Sequence, residues 1–439
     1  MSLTTITQIQ ARRVWDSRGR PTVEADVRLA GGALGRAIAP AGASRGTREA
    51  IDLRDGGTRL GGRDVLGAVH GVNTLVADAL RGLDAADQAG VDAALIALDG
   101  TTNKARLGGN ATVAVSLAVL HAAAAAAGVA SWQHVAAQYG ATPSLPLPEI
   151  QIFGGGAHAG RRVDIQDFMV MVPGAASIAE AFEITAEIYA AAGDILATRG
   201  ALRGVADEGG WWPEFSSNEA ALDTLMQAME KAGERPGDRV VISLDVAASE
   251  FGAKGQYRLA LDDRSLDSGA MIDLLGGWLD RYPIVSIEDP LAEDDLEGLS
   301  AFTQAYGDRV QIIGDDVLVT NAALVERAVA AKACNAMLLK VNQVGTVSEA
   351  IAAWRTAAAA GWPSVVSARS GESEDVSIVH LAVGLGAGQL KVGSFARSER
   401  LAKWNECIRI EQLAGLPFAA GVPLAKTWWG QSTRQEIAP

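Results

Sequence analysis

The second half of the chain repeats one pattern: a short apolar run, a polar or charged residue near its end, and then a segment of helical character. Six such runs lie between residues 239 and 393: RVVISLD, YPIVSIED, VQIIGDD, AMLLKVNQ, PSVVSAR and GQLKVG. Alternating strands and helices are typical of parallel βα units. Repeated this often, with reactive side chains at the strand ends, the pattern favours a barrel whose catalytic face collects those ends. The alternative is an open doubly wound sheet, which gathers its site at one switch point, and no G-x-G-x-x-G follows the first strand.

Three carboxylates occupy successive run ends: Asp245, Glu288 and Asp315. Brought together in one barrel mouth they would repel one another, and a hard divalent cation resolves that repulsion. Mg²⁺ takes oxygen ligands in octahedral geometry, so the three residues predict a magnesium site. The alternative is that each carboxylate caps the helix that follows it.

Two lysines, Lys340 and Lys391, lie inside apolar runs. Because burial lowers the pKa of a lysine, such a side chain can act as a general base. The alternative is an ordinary solvated lysine, which rarely sits in a sequence such as MLLKVNQ.

Other segments carry further candidates. Glu208 precedes two glycines and two tryptophans, and a carboxylate beside aromatic bulk can have a raised pKa and donate a proton; the alternative is an acidic turn. The first loop, residues 40–50 (PAGASRGTREA), carries Ser44 and Arg45 among small residues, as lids and many idle loops do. His158, in GGGAHAGRRVD, is either functional or structural.

The first 140 residues are predicted to form a separate unit. TVEADVRLA (22–30) alternates apolar and polar residues, as a half-buried antiparallel strand does. ATVAVSLAVLHAAAAAAG is strongly helical, with Gly128 as its stop. GATPSLPLPE (140–149) holds three prolines and is predicted to be a linker. The predicted domains are therefore residues 1–140 and 141–439.

Composition excludes several classes of function. A net charge of −14 argues against nucleic acid, whose phosphates would be repelled. Two cysteines make no disulfide framework, which fits a reducing cytoplasm. The N-terminus lacks the long apolar stretch of a signal peptide. The Ala-rich run over residues 117–130 is too short to span a membrane, so no membrane partner is expected.

Taken together, the motifs resemble those of the enolase family over essentially the whole chain. In family order they are WDSRGRPTVEADV, GASRGTREAIDLRDGG, GGGAHAGRRVDIQDF, DEGG, SLDVAASEF, SIEDPLAEDD, GDDVLVTN, LLKVNQVGTVSEA and ARSGESEDVSIVHLAVGLGAGQLKVGSFARSERLAKWN. The resemblance implies an α/β fold, an enolase-type (βα)8-like barrel with a smaller α+β N-terminal domain. It also implies two Mg²⁺ ions, interconversion of 2-phosphoglycerate with phosphoenolpyruvate, and a homodimer or homo-octamer.

The resemblance also assigns roles to individual residues. Asp245, Glu288 and Asp315 match the ligands of the tightly held Mg²⁺, and Ser44 matches the lid residue that reaches the second ion. Lys340 matches the base that removes the proton α to the carboxylate, and Glu208 matches the acid that assists loss of the hydroxyl. The other matches are Arg369 with Ser370 for the phosphate, Lys391 for the carboxylate, and His158 and Asp167 in the second loop (residues 154–168). Gln166 of that loop is also expected to bind substrate.

The sequence departs from the family around the pocket. Ala368 stands where the family has histidine, and Asp167 where it has glutamate. The first loop has Ala41 and Arg45 at altered positions, and the second loop adds Arg161 and Arg162. Loss of an imidazole opens space, and arginines offer forked partners for anions.

These departures leave two enzymatic hypotheses and one of another class. The chain is an ordinary enolase that has drifted, or a specialised paralogue such as the carboxyphosphonoenolpyruvate synthase of phosphonate antibiotic biosynthesis. In the second case the pocket holds an extra anionic group, and Arg45 contacts it when the first loop closes. The third hypothesis is a non-catalytic binding protein, against which retention of Lys340 and Glu208 argues.

Overall fold

A computed structural model of the chain describes residues 2–437, except for the side chains of His158 and of residues 434–437. Its N-terminal unit is an antiparallel sheet packed against helices. The strands are β1 (Ile6–Trp15), β2 (Pro21–Leu29) and β3 (Leu34–Ile38). The helices are α1 (Leu66–Gly71), α2 (Ala77–Leu80), α3 (Gln88–Asp99), α4 (Gly109–Ala127) and α5 (Ser131–Tyr139), with a π-helical turn, Val72–Val76, between α1 and α2.

The strand predicted over residues 22–30 is confirmed as β2, but its predicted half-burial is wrong. Arg28 is its one exposed residue. Helix α4 packs against β2, and the polar residues Glu24 and Asp26 lie under the guanidinium of Arg12. The alternating sequence predicted that the polar face of β2 is exposed to solvent. Ion pairs with the neighbouring strand cover that face instead.

The Ala-rich helix predicted to stop at Gly128 is confirmed as α4, and Gly128 has the left-handed φ of 68° that ends helices. Helix α4 is longer than the run over residues 117–130 that was predicted to be too short to span a membrane. By length and composition α4 could cross a membrane, but 78% of its most apolar window is buried inside the protein. Helix α4 is therefore the core helix of the N-terminal unit.

After residue 146 the chain forms a closed barrel. Its strands and their appendages are β4 (Leu147–Gly154), β5 (Asp167–Met171), β6 (Leu202–Val205), β7 (Trp211–Pro213), β8 (Val241–Asp245), β9 (Gly252–Ala253), β10 (Gln256–Leu259), β11 (Arg264–Asp267), β12 (Ile284–Glu288), β13 (Gln311–Gly314), β14 (Ala336–Leu339), β15 (Ser364–Ser367) and β16 (Gly388–Ser394). The barrel order is β4-β5-β8-β12-β13-β14-β15-β16, and β16 pairs with β4 to close it. The six runs read from the sequence are therefore all barrel strands, and the barrel prediction is confirmed.

Helices cover the outside of the barrel. They are α6 (Ile178–Thr198), α7 (Asn218–Lys231), α8 (Ser268–Arg281), α9 (Leu296–Tyr306), α10 (Ala322–Ala331), α11 (Val341–Val344), α12 (Val347–Ala359), α13 (Ser377–Leu385), α14 (Ser398–Ala414) and α15 (Trp428–Ile437). The helices predicted between the later strands are confirmed as α8, α10 and α12.

Two details differ from the pattern read from the sequence. Strand β5 runs antiparallel to both β4 and β8, whereas the other barrel pairs are parallel. The Pro-rich segment is a connection only up to residue 146, since residues 147–149 begin β4. Pro148 is tolerated there because a proline near the start of a strand removes few ladder hydrogen bonds.

Candidate active site

The residues that the sequence placed at strand ends meet at one mouth of the barrel. Asp245 and Glu288 are the last residues of β8 and β12, and Asp315 and Lys340 directly follow β13 and β14. Lys391 lies within β16. Each of the five residues is less than one-tenth exposed. Parallel strands bring their carboxyl ends to one edge, which explains why distant residues converge here.

The lysines and carboxylates form two ion-paired groups. Lys391 Nζ lies 2.7 Å from Asp245 Oδ2 and 2.8 Å from Glu288 Oε2. Lys340 Nζ lies 2.5 Å from Asp315 Oδ2. Burial opposes the charged form of Lys391, but its carboxylate neighbours outweigh burial and raise its pKa well above the usual value. Burial and the neighbouring Asp245 charge raise the pKa of Glu288.

The expectation that burial lowers the pKa of Lys340 is wrong for this arrangement. Burial is the largest single influence and acts in that direction, but the nearby carboxylates of Asp315 and Glu288 together outweigh it, and the pKa of Lys340 is raised. A lysine in an apolar strand sequence indicates burial, but the sequence around it does not show which carboxylate the fold places against it.

The acidic residues fit a divalent cation. Glu288 Oε1 is buried and has no hydrogen-bond partner among the described residues, although the rest of that carboxylate is paired. An unsatisfied buried carboxylate oxygen beside Asp245 and Asp315 is a hard oxygen donor of the kind Mg²⁺ prefers. The predicted ligand set is therefore chemically suited to the ion.

A second acidic group shares Asp315. Ligand oxygens of Asp289, Asp315 and Asp316, all buried, lie within 4.8 Å of one another. Asp289 accepts the backbone N–H groups of Asp315 and Asp316, each at 2.8 Å, so it shapes the turn after β13. Burial and the Asp315 charge raise the pKa of Asp289 to about 8. Sequence reasoning missed this group, although the acidic doublets ED and DD were visible.

The first loop folds across this mouth and surrounds Arg369. Arg369 forms a bidentate pair with Glu49, at 3.0 and 3.1 Å, and donates to the backbone oxygen of Ser44 at 3.0 Å. Ser370 Oγ accepts the N–H of Ala43 at 2.8 Å. Sequence reasoning missed Glu49, and also Asn342 and Gln343, which contact Arg369 and Asp315. The motif LLKVNQ was the available signal for the last two.

Residues of the second loop approach the same mouth. Gln166 Nε2 donates to Asp245 Oδ2 at 2.9 Å. Asp167 accepts a hydrogen bond from Gln151, and its Oδ2 lies 3.5 Å from Lys391 Nζ. The side chain of His158 lies outside the described residues.

Glu208 lines a small cavity at this mouth of the barrel. The tryptophans that follow it in sequence have other partners. Trp211 stacks on Tyr189, with ring centroids 4.6 Å apart, and Trp212 lies 5.1 Å from the guanidinium carbon of Arg162. The aromatic neighbourhood inferred from the sequence therefore packs elsewhere.

The arginines that mark the chain as unusual are half-exposed and bound to protein carboxylates. The distances run from a guanidinium nitrogen to a carboxylate oxygen. They are 3.7 Å for Arg45 and Asp52, 2.7 Å for Arg161 and Glu250, and 3.8 Å for Arg162 and Glu214. None of the three lines the cavity. The anionic partner of Arg45 is therefore a protein carboxylate, that of Asp52.

Ala368 lies in the cavity wall, between Ser367 and Arg369, and is buried. Its N–H donates to the backbone oxygen of Lys391 at 2.8 Å. The cavity that it lines has a volume of about 20 Å³.

Comparison with known families agrees with this architecture. The model of the enolase C-terminal TIM barrel domain matches residues 142–421, and that of the enolase N-terminal domain matches residues 6–135. Together they cover both units of the chain, including the two loops and each strand end that carries a candidate residue. The chain therefore belongs to the enolase family.

Proposed function

We propose that the chain, as a lyase of the enolase superfamily, removes the C2 proton of 2-phosphoglycerate, or of a close phosphonate analogue, and eliminates to an enolpyruvate product in a Mg²⁺-dependent reaction. The observation that carries the proposal is the gathering of Lys340, Lys391 and the three carboxylates in one buried mouth.

Each step has a group in place. Lys340 acts as the base in its neutral form. If Asp315 were engaged by Mg²⁺ instead, the cause of the raised lysine pKa would be weakened, and Lys340 could release its own proton to solvent. The neutral amine then takes the proton from C2, and the electron pair moves into the substrate carboxylate. Glu208 donates a proton to the leaving hydroxyl, which departs as water while the double bond forms. Mg²⁺ held by Asp245, Glu288 and Asp315 would supply positive charge against the charge that develops on the substrate carboxylate.

Exchange of the C2 proton tests this proposal without requiring elimination. 2-Phosphoglycerate is incubated with protein and Mg²⁺ in deuterated water, and loss of the C2 proton signal is followed by NMR. Wild type and Lys231→Ala, which removes an exposed lysine of α7, should exchange. Lys340→Ala should not; exchange at the wild-type rate in Lys340→Ala for every substrate tried rules out its role as base.

A specialised paralogue of the carboxyphosphonoenolpyruvate synthase type is the second candidate, and Ala368 in the cavity wall favours it. We also expect weak dehydration of 2-phosphoglycerate, because Asp167 is one methylene shorter than the family's glutamate, and such a misplacement can cost on the order of 100-fold. The contacts of Arg45 with Asp52 remove one reason for proposing an extra anion in the pocket.

Ala368→His distinguishes the candidates, because it returns an imidazole to the wall. An ordinary enolase should gain dehydration of 2-phosphoglycerate in this variant. A specialised enzyme should instead lose turnover of a phosphonoformyl-bearing analogue, since the imidazole fills the space that the analogue needs. If the folded wild type neither exchanges the C2 proton of any substrate nor eliminates it, the non-catalytic class is favoured.

The surroundings of the reaction are proposals too. The substrate is a small phosphorylated or phosphonate acid, the location is cytoplasmic, and the assembly is a homodimer or homo-octamer. Sedimentation analysis of the purified chain checks the assembly directly.

A further inference from the structure

Helix α14 carries three buried polar side chains that donate hydrogen bonds to backbone oxygens near the mouth of the barrel. Arg400 and Lys403 are 0% exposed and Trp404 is 1% exposed. Lys403 Nζ donates to the backbone oxygen of Ser373 at 2.6 Å, and Trp404 Nε1 donates to that of Ser394 at 3.1 Å. Arginine and lysine are rarely buried to this extent, so the placement of these two cations needs an explanation.

Arg400 binds the backbone of two different strand ends. Its Nη1 donates to the backbone oxygen of Arg369 at 2.7 Å and to that of Val392 at 2.9 Å, and its Nη2 donates to that of Ser370 at 2.5 Å. Arg369 and Ser370 follow β15, whereas Val392 lies in β16 next to Lys391. One guanidinium therefore connects the turn after β15 to the neighbouring strand.

This connection begins where the sheet ends. The last paired residues of β15 and β16 are Ser367 and Lys391, so the ladder of backbone hydrogen bonds does not extend to Arg369 and Ser370. The planar fork of an arginine has several N–H groups at fixed angles, which a single ammonium group cannot reproduce. Arg400 is consequently suited to hold three carbonyl groups in a fixed relative position.

The other side of the same turn is held from the same helix. Glu372 Oε1 accepts the N–H of Arg369 at 3.0 Å, and Glu372 Oε2 lies 2.9 Å from Lys403 Nζ. The N–H and the carbonyl group of Arg369 are thus both fixed, one through Glu372 and Lys403 and the other through Arg400. The side chain of Arg369 remains on the cavity side, where Ser370 and Lys391 also line the wall.

We propose that Arg400 is a positioning residue that fixes the turn of Arg369 and Ser370 relative to Lys391. This rests on the proposed function in one respect, the use of Arg369 and Ser370 for the phosphate and of Lys391 for the carboxylate of the substrate. The covalent structure of a substrate sets the distance between its two anionic groups, so the residues that bind them must be held at a matching distance.

The first measurement is hydrogen exchange of the peptide that spans residues 368–374, in the folded chain without ligand. In the wild type this peptide should exchange slowly. In Arg400→Lys, which keeps the charge but not the fork, exchange should be faster by on the order of ten-fold, because hydrogen bonds to the turn are lost. Trp404→Phe is the matched control, since it removes a buried hydrogen bond of the same helix that goes to Ser394. It should leave exchange of this peptide within about two-fold of the wild type.

The second measurement compares two ligands by titration calorimetry in the presence of Mg²⁺. The proteins carry Lys340→Ala, so that substrate is not consumed, and differ only at position 400 or 404. Arg400→Lys should weaken binding of 2-phosphoglycerate, which has both anionic groups, by about ten-fold or more. It should weaken binding of inorganic phosphate by no more than about three-fold, because phosphate needs only one of the two positions. A residue that only stabilises the fold would not separate the two ligands, and Trp404→Phe should not separate them.

Fast exchange of residues 368–374 in the wild type, which needs no variant to fold, overturns the proposal. So does unchanged exchange in Arg400→Lys, or an equal change in affinity for the two ligands. Failure of the parent protein to bind 2-phosphoglycerate would remove the proposed function instead. The exchange measurement uses no ligand and would still decide the role of Arg400.

Discussion

Lys391 is the residue on which the charge balance of the mouth depends. It holds together Asp245 and Glu288, which would otherwise bring two buried negative charges into one space. Removing one partner of a buried ion pair leaves an uncompensated charge and is strongly destabilising. The same carboxylates are the predicted Mg²⁺ ligands, so an added ion could replace the missing ammonium.

We therefore predict that Lys391→Met lowers the free energy of unfolding of the metal-free protein by about 3 kcal/mol, and that Mg²⁺ restores most of the loss. Denaturant unfolding with and without Mg²⁺ measures both values. Lys104→Met is the matched control, because Lys104 is also buried and pairs with Glu349 at 2.8 Å away from this mouth. A loss in Lys391→Met that Mg²⁺ leaves unchanged would count against a metal site at these carboxylates.

Glu149 is a buried carboxyl deeper in the same barrel. It accepts hydrogen bonds from Gln389 Nε2 at 2.6 Å and Ser243 Oγ at 3.4 Å, and it is the register partner of Lys391 on the neighbouring strand. Burial raises the pKa of Glu149 to about 7 from the ordinary 4.5, although Lys391 acts in the opposite direction. The folded state therefore retains a proton that the unfolded state releases.

This difference makes stability depend on pH. Between pH about 4.5 and about 7 the free energy of unfolding falls as pH rises, by about 3 kcal/mol on account of Glu149, and the contribution is fully present below that range. Glu149→Gln lacks the titration, so its stability relative to wild type should rise across the window and level off above it. Urea unfolding in metal-free buffer over this pH range measures the difference, with the exposed Glu230→Gln as control for the substitution. A difference that is constant with pH would show that Glu149 does not titrate there.

The first loop is the element that connects the two units at the mouth, and Gly42 sets how closely it can approach. A side-chain carbon at Gly42 would lie 1.9 Å from Arg369 Nη2. Residues on either side fix the loop to the barrel, through paired backbone bonds between Ala41 and Gly371 and through the bond from Ala43 to Ser370. The loop therefore cannot accommodate the extra carbon without moving as a unit.

We predict that Gly42→Ala slows C2 proton exchange by on the order of 100-fold, because Ser44 moves with the loop. It should also speed hydrogen exchange over residues 41–50. Gly277→Ala, in α8, is the control: an added carbon there meets nothing within 4 Å. It should retain full exchange of the substrate proton and gain up to about 1 kcal/mol of stability from helix propensity. If hydrogen exchange over residues 41–50 is as slow in Gly42→Ala as in the wild type, the prediction is wrong, and Arg369 moves aside to accommodate the added carbon.

Elements that repeat were predictable from the sequence, and elements that break the repeat were not. The six runs ending in residues such as Asp245 and Arg369 are barrel strands because local periodicity and parallel topology agree. The reversed strand β5 shows the same apolar run as its neighbours, FMVM, and only its antiparallel pairing with β4 and β8 distinguishes it. Likewise, Arg45 carries no sequence mark of its partner: Asp52 lies seven positions away across a loop whose path is fixed by tertiary contacts.

At the scale of the whole molecule, the N-terminal unit and the barrel share a buried polar junction. Asp92 of α3 is fully buried and accepts the N–H and hydroxyl of Ser348, at 2.9 and 2.6 Å, in the first turn of α12. It also accepts from Ser116 at 2.7 Å and from Gln88 at 3.1 Å. A carboxyl group of one unit thus accepts hydrogen bonds from a helix N-terminus of the other, and burial raises the pKa of that carboxyl.

Because the junction is buried and hydrogen-bonded across the two units, the two units should unfold in one transition. Asp92→Ala leaves the N–H and hydroxyl of Ser348 without their acceptor, and it should lower the free energy of unfolding by about 3 kcal/mol. Calorimetric scans of wild type, Asp92→Ala and the exposed control Asp78→Ala, whose side chain is 82% exposed, test this. Wild type and Asp78→Ala should show the same single transition, and Asp92→Ala one transition at lower temperature. Two resolved transitions in the wild type, with only one of them lowered in Asp92→Ala, would mean that the units fold independently. The first loop would then close between two bodies free to move apart, and the geometry of Ser44 over the barrel mouth would depend on the loop's own bonds to the barrel, those of Ala41, Ala43 and Glu49.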